Sequence, residues 1–275
     1  MIEELGPLAR EIAPAKLNLA LHVRGKRADG RHDIETVFAF CTDGDHLSAE
    51  PAHDISLGLV GPFASDLDAG DDNLVLTAAM ALASAASVAE GAALTLDKRL
   101  PVASGIGGGS ADAAAALRLL TSLWRIDPKH ALAVAPTLGS DVPACLLSLP
   151  ALGNGAGDEL ALLPASDLSG TPVLLVNPRV QLSTAAVFAA WDGVDRGSLN
   201  HWRDGGRNDL YPAARTLVPE IGNVMKWLDS QPSAEFVRMS GSGATCFALF
   251  DGEEARDAAA IAVPREWWHL ATFLR

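Results

Sequence analysis

Pro101-Val102-Ala103-Ser104-Gly105-Ile106-Gly107-Gly108-Gly109-Ser110-Ala111-Asp112-Ala113-Ala114-Ala115-Ala116-Leu117 joins a glycine cluster directly to an alanine-rich run of high helix propensity. Four glycines in five positions let the backbone take left-handed conformations and bring its N–H groups close to a ligand. The helix behind them starts with free N–H groups and the positive end of its macrodipole, so the segment suits an anion such as phosphate. Ser110 is placed to cap that helix or to turn its hydroxyl toward a phosphate or its Mg²⁺. A flexible glycine linker beside a core helix is the plainer alternative, which the density of glycines and the joined helix disfavour.

Two other glycine-loop chemistries fit less well. A Walker A loop needs a lysine directly before the serine, and Gly109 stands there. A dinucleotide fingerprint needs its first glycine directly after a strand. Here a strand at 93–96 is separated from Gly105 by Lys98, Arg99, Leu100, Pro101 and more, the third glycine position is Ser110, and Asp127 sits before Pro128 in a turn.

The 275 residues, 49% hydrophobic, are enough for one large or two modest domains with a sizeable core. Cys41, Cys145 and Cys246 are odd in number and far apart, which suggests neither a disulfide framework nor a zinc site and fits a reducing cytoplasm. A net charge of −13 argues against nucleic acid as a partner. The acidic start, 1–7, lacks the pattern of a signal peptide, and no apolar run reaches membrane-spanning length, so a soluble protein without a membrane partner is expected. Anionic small ligands would need local positive features, for which Lys16, Lys98, Arg99 and the helix start after Gly109 are available.

Along the chain, 14–24 alternates Leu17, Leu19, Leu21 and Val23 with Lys16, Asn18, Ala20 and His22, which predicts a strand with one buried face. The other face is either solvated or one wall of a site. Asp29-Gly30 is a tight turn signal before a strand at 34–41. Further strands are expected at 54–60, 93–97, 173–177, 235–239, 244–250 and 267–274. Helices are expected at 73–90, opened by Asp71-Asp72-Asn73, after Pro128, at 219–229 and at 253–262. Asp141, two residues before Pro143, reads by default as a helix N-cap. The glycine-rich 153–158 reads as a turn on the approach to a domain boundary.

The run Pro101-x-x-x-Gly105-Ile-Gly-Gly-Gly-Ser110-Ala-Asp-Ala-Ala resembles the nucleotide-binding motif of the GHMP kinases, which include galactose, homoserine, mevalonate and phosphomevalonate kinases. The likeness extends from Pro14 to the final strands, with the motifs in family order. It implies an α+β fold of two domains, 1–160 like domain 2 of ribosomal protein S5 and 161–275 ferredoxin-like, with the active site in the cleft between them. It implies ATP and Mg²⁺ bound by 101–111, with Ser110 on the metal and Asn73 and Lys98 near the nucleotide. Lys16 and Asp141 are the implied catalytic pair.

Within the family, the turn Ala28-Asp29-Gly30-Arg31-His32 and the segment Ser183-Thr184-Ala-Ala-Val-Phe188 are similar to those of the branch that phosphorylates the 2-hydroxyl of a cytidine-diphosphate-linked methylerythritol, in the non-mevalonate route to isoprenoids. Asn18, Arg31, His32, Thr184 and Phe188 are the implied substrate contacts. Arg31 stands where that branch has a stacking tyrosine, and a guanidinium plane can also stack on a base. The segment 207–212 resembles a largely structural family motif, and the turn Ser240-Gly241-Ser242-Gly243 another that shapes the site and offers N–H groups to phosphate. A different small-molecule kinase of the family, or a non-catalytic nucleotide-binding relative, is the alternative; monomer and homodimer both fit.

Overall fold

The computed structural model describes residues 9–70, 72–164 and 168–275; the acidic start and Asp71 lie outside them. The chain forms two compact units that interleave along the sequence. The first takes the residues up to Ala15, Asp43–Val102 and Gly107–Leu147, and the second takes Lys16–Thr42, Ala103–Ile106 and Ser148–Arg275. The long paired strands β1 (Ala9–Lys26) and β2 (His32–Ala52) contribute residues to both.

In the first unit, β3 (Ser56–Val60) pairs in parallel with β4 (Gly91–Asp97), which pairs antiparallel with residues 46–52 of β2. The helices α1 (Leu74–Ala86), α2 (Gly108–Leu123), α3 (Lys129–Leu138) and α4 (Val142–Leu147) pack on one another. The alanines of α2 explain the close packing: Ala111 and Ala113 to Ala116 are fully buried, and methyl side chains let neighbouring helices approach. Helix α1 ends four residues before the expected 90, because Ser87 turns left-handed at φ 53° and Val88 N–H bonds back to Ala83 O.

In the second unit, β5 (Ala151–Asn154) and β6 (Glu159–Leu162) form a hairpin, and β5 also pairs with residues 36–38 of β2. The glycine-rich 153–158 turns the chain from β5 into β6, with Gly155 and Gly157 at positive φ. A second, antiparallel sheet has the order β10-β7-β9-β8, built from β7 (Pro172–Asn177), β8 (Ala234–Met239), β9 (Cys246–Phe250) and β10 (Trp268–Phe273). Helices α5 (Thr184–Ala189), α6 (Tyr211–Leu217), α7 (Glu220–Asp229) and α8 (Glu253–Ile261) complete the unit, and its core joins Leu174, Val176 and Cys246 to Ile221, Val224 and Leu228 of α7.

The segment 207–209 lies along β1: Leu21 N–H bonds to Arg207 O, Asp209 N–H to Leu21 O and Val23 N–H to Asp209 Oδ2. Its structural role was expected from the sequence. His22 is buried behind it, with Nε2 accepting the Arg207 N–H at 3.2 Å and Nδ1 3.0 Å from Gly197 O. In the neutral ring the proton therefore sits on Nδ1, and burial pulls the imidazole pKa down.

Candidate active site

The polar face of β1 is not solvated. Lys16 and Asn18 are 3% and 2% exposed, so both faces of the strand are buried here. A burial of this kind requires every polar atom to find a partner. Lys16 Nζ donates to Asn18 Oδ1 at 2.8 Å and stands 5.1 Å over the Phe38 ring. Asn18 Nδ2 donates to Thr36 Oγ1, which donates to Ala20 O. This relay fixes which way the Asn18 amide faces and aims the ammonium.

The same unit contains the first half of the glycine loop, Ala103–Ile106, and uses up its carbonyl groups one after another. Ser104 O accepts from Thr245 N, Gly105 O from Ser240 Oγ and Ile106 O from Lys16 N, all at 2.9–3.0 Å. In a trans peptide the N–H points opposite to the C=O of the same plane, so the N–H groups of Gly105, Ile106 and Gly107 face away from these partners. None of the three donates to a described residue. The turn 240–243 thus clamps the loop: Ser240 Oγ also accepts from Asn18 N, Gly243 N–H bonds to Ser240 O, and Asn208 Nδ2 holds Met239 O and Gly241 O. The Gly243 N–H is used inside the turn.

In the first unit, the second half of the loop runs into α2. Gly107 is the N-cap at φ 64°, a conformation that favours glycine, and Ser110 lies inside the first turn. Ser110 therefore does not cap the helix, and it is partly exposed. The N–H groups of Gly108, Gly109 and Ser110 have no acceptor among the described residues. A Cβ on Gly109 would meet nothing within 4 Å, so the ground in front of the helix is open. Pro101 is buried, and Val102 and Ala103 carry the chain on, Ala103 with φ 51°.

Lys98 departs from expectation. It is 2% exposed, and its Nζ lies 2.6 Å from both Asp45 Oδ2 and Asp112 Oδ2. An ammonium buried between two carboxylates is a structural tie, not a phosphate ligand. It links the end of β4 to the first turns of α2, while Asp45 Oδ1 accepts the N–H groups of Arg99 and Leu100. Burial pushes the Asp112 carboxyl up to about 8 against the pull of Lys98. Asn73 is the α1 N-cap: its Oδ1 accepts from Val75 N and its Nδ2 donates to Asp68 O.

Asp141 sits directly before α4, where its C=O accepts the Cys145 N–H and so closes the first helical turn. Arg118 of α2 holds the other end of α4 through Cys145 O and bonds Glu11 and Ile12 O of β1. Asp141 therefore rests on a braced helix within the unit that carries Gly107–Ala111, Asn73 and Lys98, whereas Lys16 and Asn18 belong to the second.

The second unit also brings the other sequence candidates together. His32 stacks on Phe188 with ring centroids 4.8 Å apart, and Thr184 Oγ1 is 2.9 Å from Ser242 Oγ. Phe188 is partly buried against the core. Trp191 was not singled out by the sequence reading, yet its ring meets His32 edge-on at 5.7 Å. Its position three residues after Phe188, just past the end of α5, was the available signal. Arg31 pairs its guanidinium with Asp29 Oδ2 at 2.9–3.0 Å and so reinforces the turn.

Family models match at two places, "GHMP kinases N terminal domain" over residues 73–148 and "GHMP kinases C terminal" over 190–269. A 4-diphosphocytidyl-2-C-methyl-D-erythritol kinase of Rhizorhabdus wittichii is 54% identical over 96% of this chain and 94% of its own length. This chain belongs to the GHMP kinase family. A second relative of the same name, from Novosphingobium aromaticivorans, is 51% identical over 97% of this GHMP kinase and 93% of its own length. The crystal structure of a 4-(cytidine 5'-diphospho)-2C-methyl-D-erythritol kinase superposes with a TM-score of 0.81 at 33% identity, covering 96% of this chain and 98% of that one. Homoserine kinase from Cytophaga hutchinsonii, at 16% identity, shares the GHMP kinase fold with a TM-score of 0.71, covering 100% of this chain and 97% of that one.

Proposed function

We propose that this GHMP kinase transfers the γ-phosphoryl group of ATP to the 2-hydroxyl of 4-diphosphocytidyl-2-C-methyl-D-erythritol. The observation that carries the reading is 54% identity along almost the whole chain to a kinase named for that alcohol. Phosphoryl transfer demands positioning and neutralised charge more than covalent participation by the protein. The outward N–H groups of 105–107, followed by those of Gly108, Gly109 and Ser110 at the α2 terminus, hold the triphosphate. Lys16, aimed by Asn18, stabilises charge on the transferring group, and Asp141 orients the acceptor hydroxyl and receives its proton. His32, Phe188 and Thr184 take the cytidine end.

Mg²⁺ suits this donor set. Among the described residues no three acidic, histidine or cysteine side chains gather as a metal cage, and Mg²⁺ in nucleotide sites is held by phosphate oxygens and water with one or two protein ligands. Ser110 Oγ would be such a ligand, and the ion would neutralise charge between the phosphates.

The ATP-binding half is assigned to 1–160 and the C-terminal half to 161–275, in keeping with the spans of the two family models. Three free, buried cysteines agree with a cytoplasmic enzyme, and no helix among the described residues is long and apolar enough to cross a membrane. Incubation of the protein with ATP and, in turn, the cytidine-linked alcohol, homoserine and mevalonate tests the reading. ADP release with the first alone is expected; release with either of the others at equal efficiency rejects it.

A further inference from the structure

Within the second unit a cavity of about 290 Å³ opens among α6, α7, β8 and the segment 196–209. None of its lining residues is a proposed contact to ATP or the acceptor alcohol, although Asn208 also braces the turn 240–243. Tyr211, Met225 and Val237 contribute apolar surface, and three arginines, Arg196, Arg207 and Arg238, reach its wall in a protein of net charge −13.

Two of these charges are already answered. Arg196 is paired with Asp192, and Arg207 Nε lies 2.7 Å from Asp209 Oδ1. Arg238 has no carboxylate partner among the described residues. Its Nη1 donates to Leu19 O at 3.0 Å and Trp202 O at 3.4 Å, and its guanidinium lies 4.4 Å from the Phe236 centroid, so every contact it makes is with a neutral group. Its Nε and Nη2 donate to no described residue. Burial pulls its pKa down to about 10, with no carboxylate acting against that loss of water. A charge withdrawn from solvent is ordinarily paired, and a guanidinium with a free edge presents a fork that matches phosphate or carboxylate.

We propose that this cavity binds a small organic phosphate, its anionic group on the free edge of Arg238 and its apolar body against Tyr211, Met225 and Val237. A cavity of this size, mainly apolar with a few placed polar groups, has the make-up of a small-molecule site.

The test is titration calorimetry of the full chain with phenyl phosphate, in the presence of saturating ADP and CMP so that nucleotide sites are filled. One equivalent should bind, with inorganic phosphate and phenol each at least tenfold weaker, because each offers half of the recognition. Arg238→Met should weaken binding at least tenfold. Met225→Trp fills the cavity while leaving Arg238 in place and should abolish it, which decides the matter if Arg238→Met does not fold. Absence of binding to the unaltered protein, or equal binding to it and Met225→Trp, overturns the proposal.

Discussion

Gly105 approaches Gly243 so closely that a Cβ on the former would stand 2.5 Å from the carbonyl oxygen of the latter. Ser240 O would lie 2.6 Å from the same atom, and Gly105 has φ +78°. The loop is therefore held by backbone contact with the turn after β8, and only glycine meets both the space and the conformation.

Gly105→Ala should destabilise the protein by roughly 2–4 kcal/mol and weaken ATP binding, since the displaced atoms are rigid backbone. Gly109→Ala places its methyl in open space inside a helix, so folding should change by less than about 1 kcal/mol. Thermal unfolding and ATP titration of both variants check this; an unaffected Gly105→Ala contradicts the clamp.

The Asp112 carboxyl carries a signature in pH. Its pKa is raised in the folded protein, so the folded state binds a proton that the unfolded chain has released. Its contribution to stability is complete below the usual carboxylate range and is lost as pH rises through about 8. Asp112→Asn should flatten the decline in stability between pH 5 and 8.5, measured by denaturant titration. An unchanged slope would mean that the Asp112 carboxyl is not the group responsible.

His22 works with the opposite sign. Its pKa is lowered, so its share of stability is present above the unfolded value near 6.5 and is lost as pH falls through the folded one. Replacement by asparagine, which offers an acceptor to Arg207 N without titrating, should reduce acid sensitivity below about pH 6.5. Unchanged sensitivity assigns that loss to other groups.

At the aromatic cluster, Phe188→Ala should raise KM for the cytidine-linked alcohol more than KM for ATP. Trp191→Ala should act in the same direction, through loss of the His32 ring position. Arg31→Ala removes an exposed ion pair with Asp29, worth less than about 1 kcal/mol, and should leave stability nearly unchanged. Steady-state kinetics with each substrate varied separates these cases; equal effects of Phe188→Ala on both substrates would remove that ring from the cytidine end.

Much of this arrangement was legible in local pattern. The alternation across 14–24, the glycine cluster running into an alanine-rich helix and the turn at Asp29-Gly30 each depend on neighbours in sequence, and the structure bears out all three as elements. Features decided by distant partners were not legible. The fate of Lys98 depends on Asp45, 53 residues away, and on Asp112, so its charge alone suggested a phosphate contact. Serine outranks glycine as a cap in isolation, but the left-handed backbone at Gly107 set where α2 begins. The buried polar face of β1 was ambiguous because periodicity cannot tell water from a relay such as Lys16, Asn18 and Thr36. The strands β5 and β6, four residues each, were too short to stand out against the glycines between them.

The central claim is that Lys16 and Asp141 serve the transfer step rather than nucleotide binding. Its most direct measurement is the single-turnover rate of phosphoryl transfer from ATP to 4-diphosphocytidyl-2-C-methyl-D-erythritol in Lys16→Met and Asp141→Asn, alongside ATP affinity. The account predicts a loss of about 10²–10³-fold or more in each variant with ATP affinity within a few fold of the unaltered protein. A rate near that of the unaltered protein in either would contradict it.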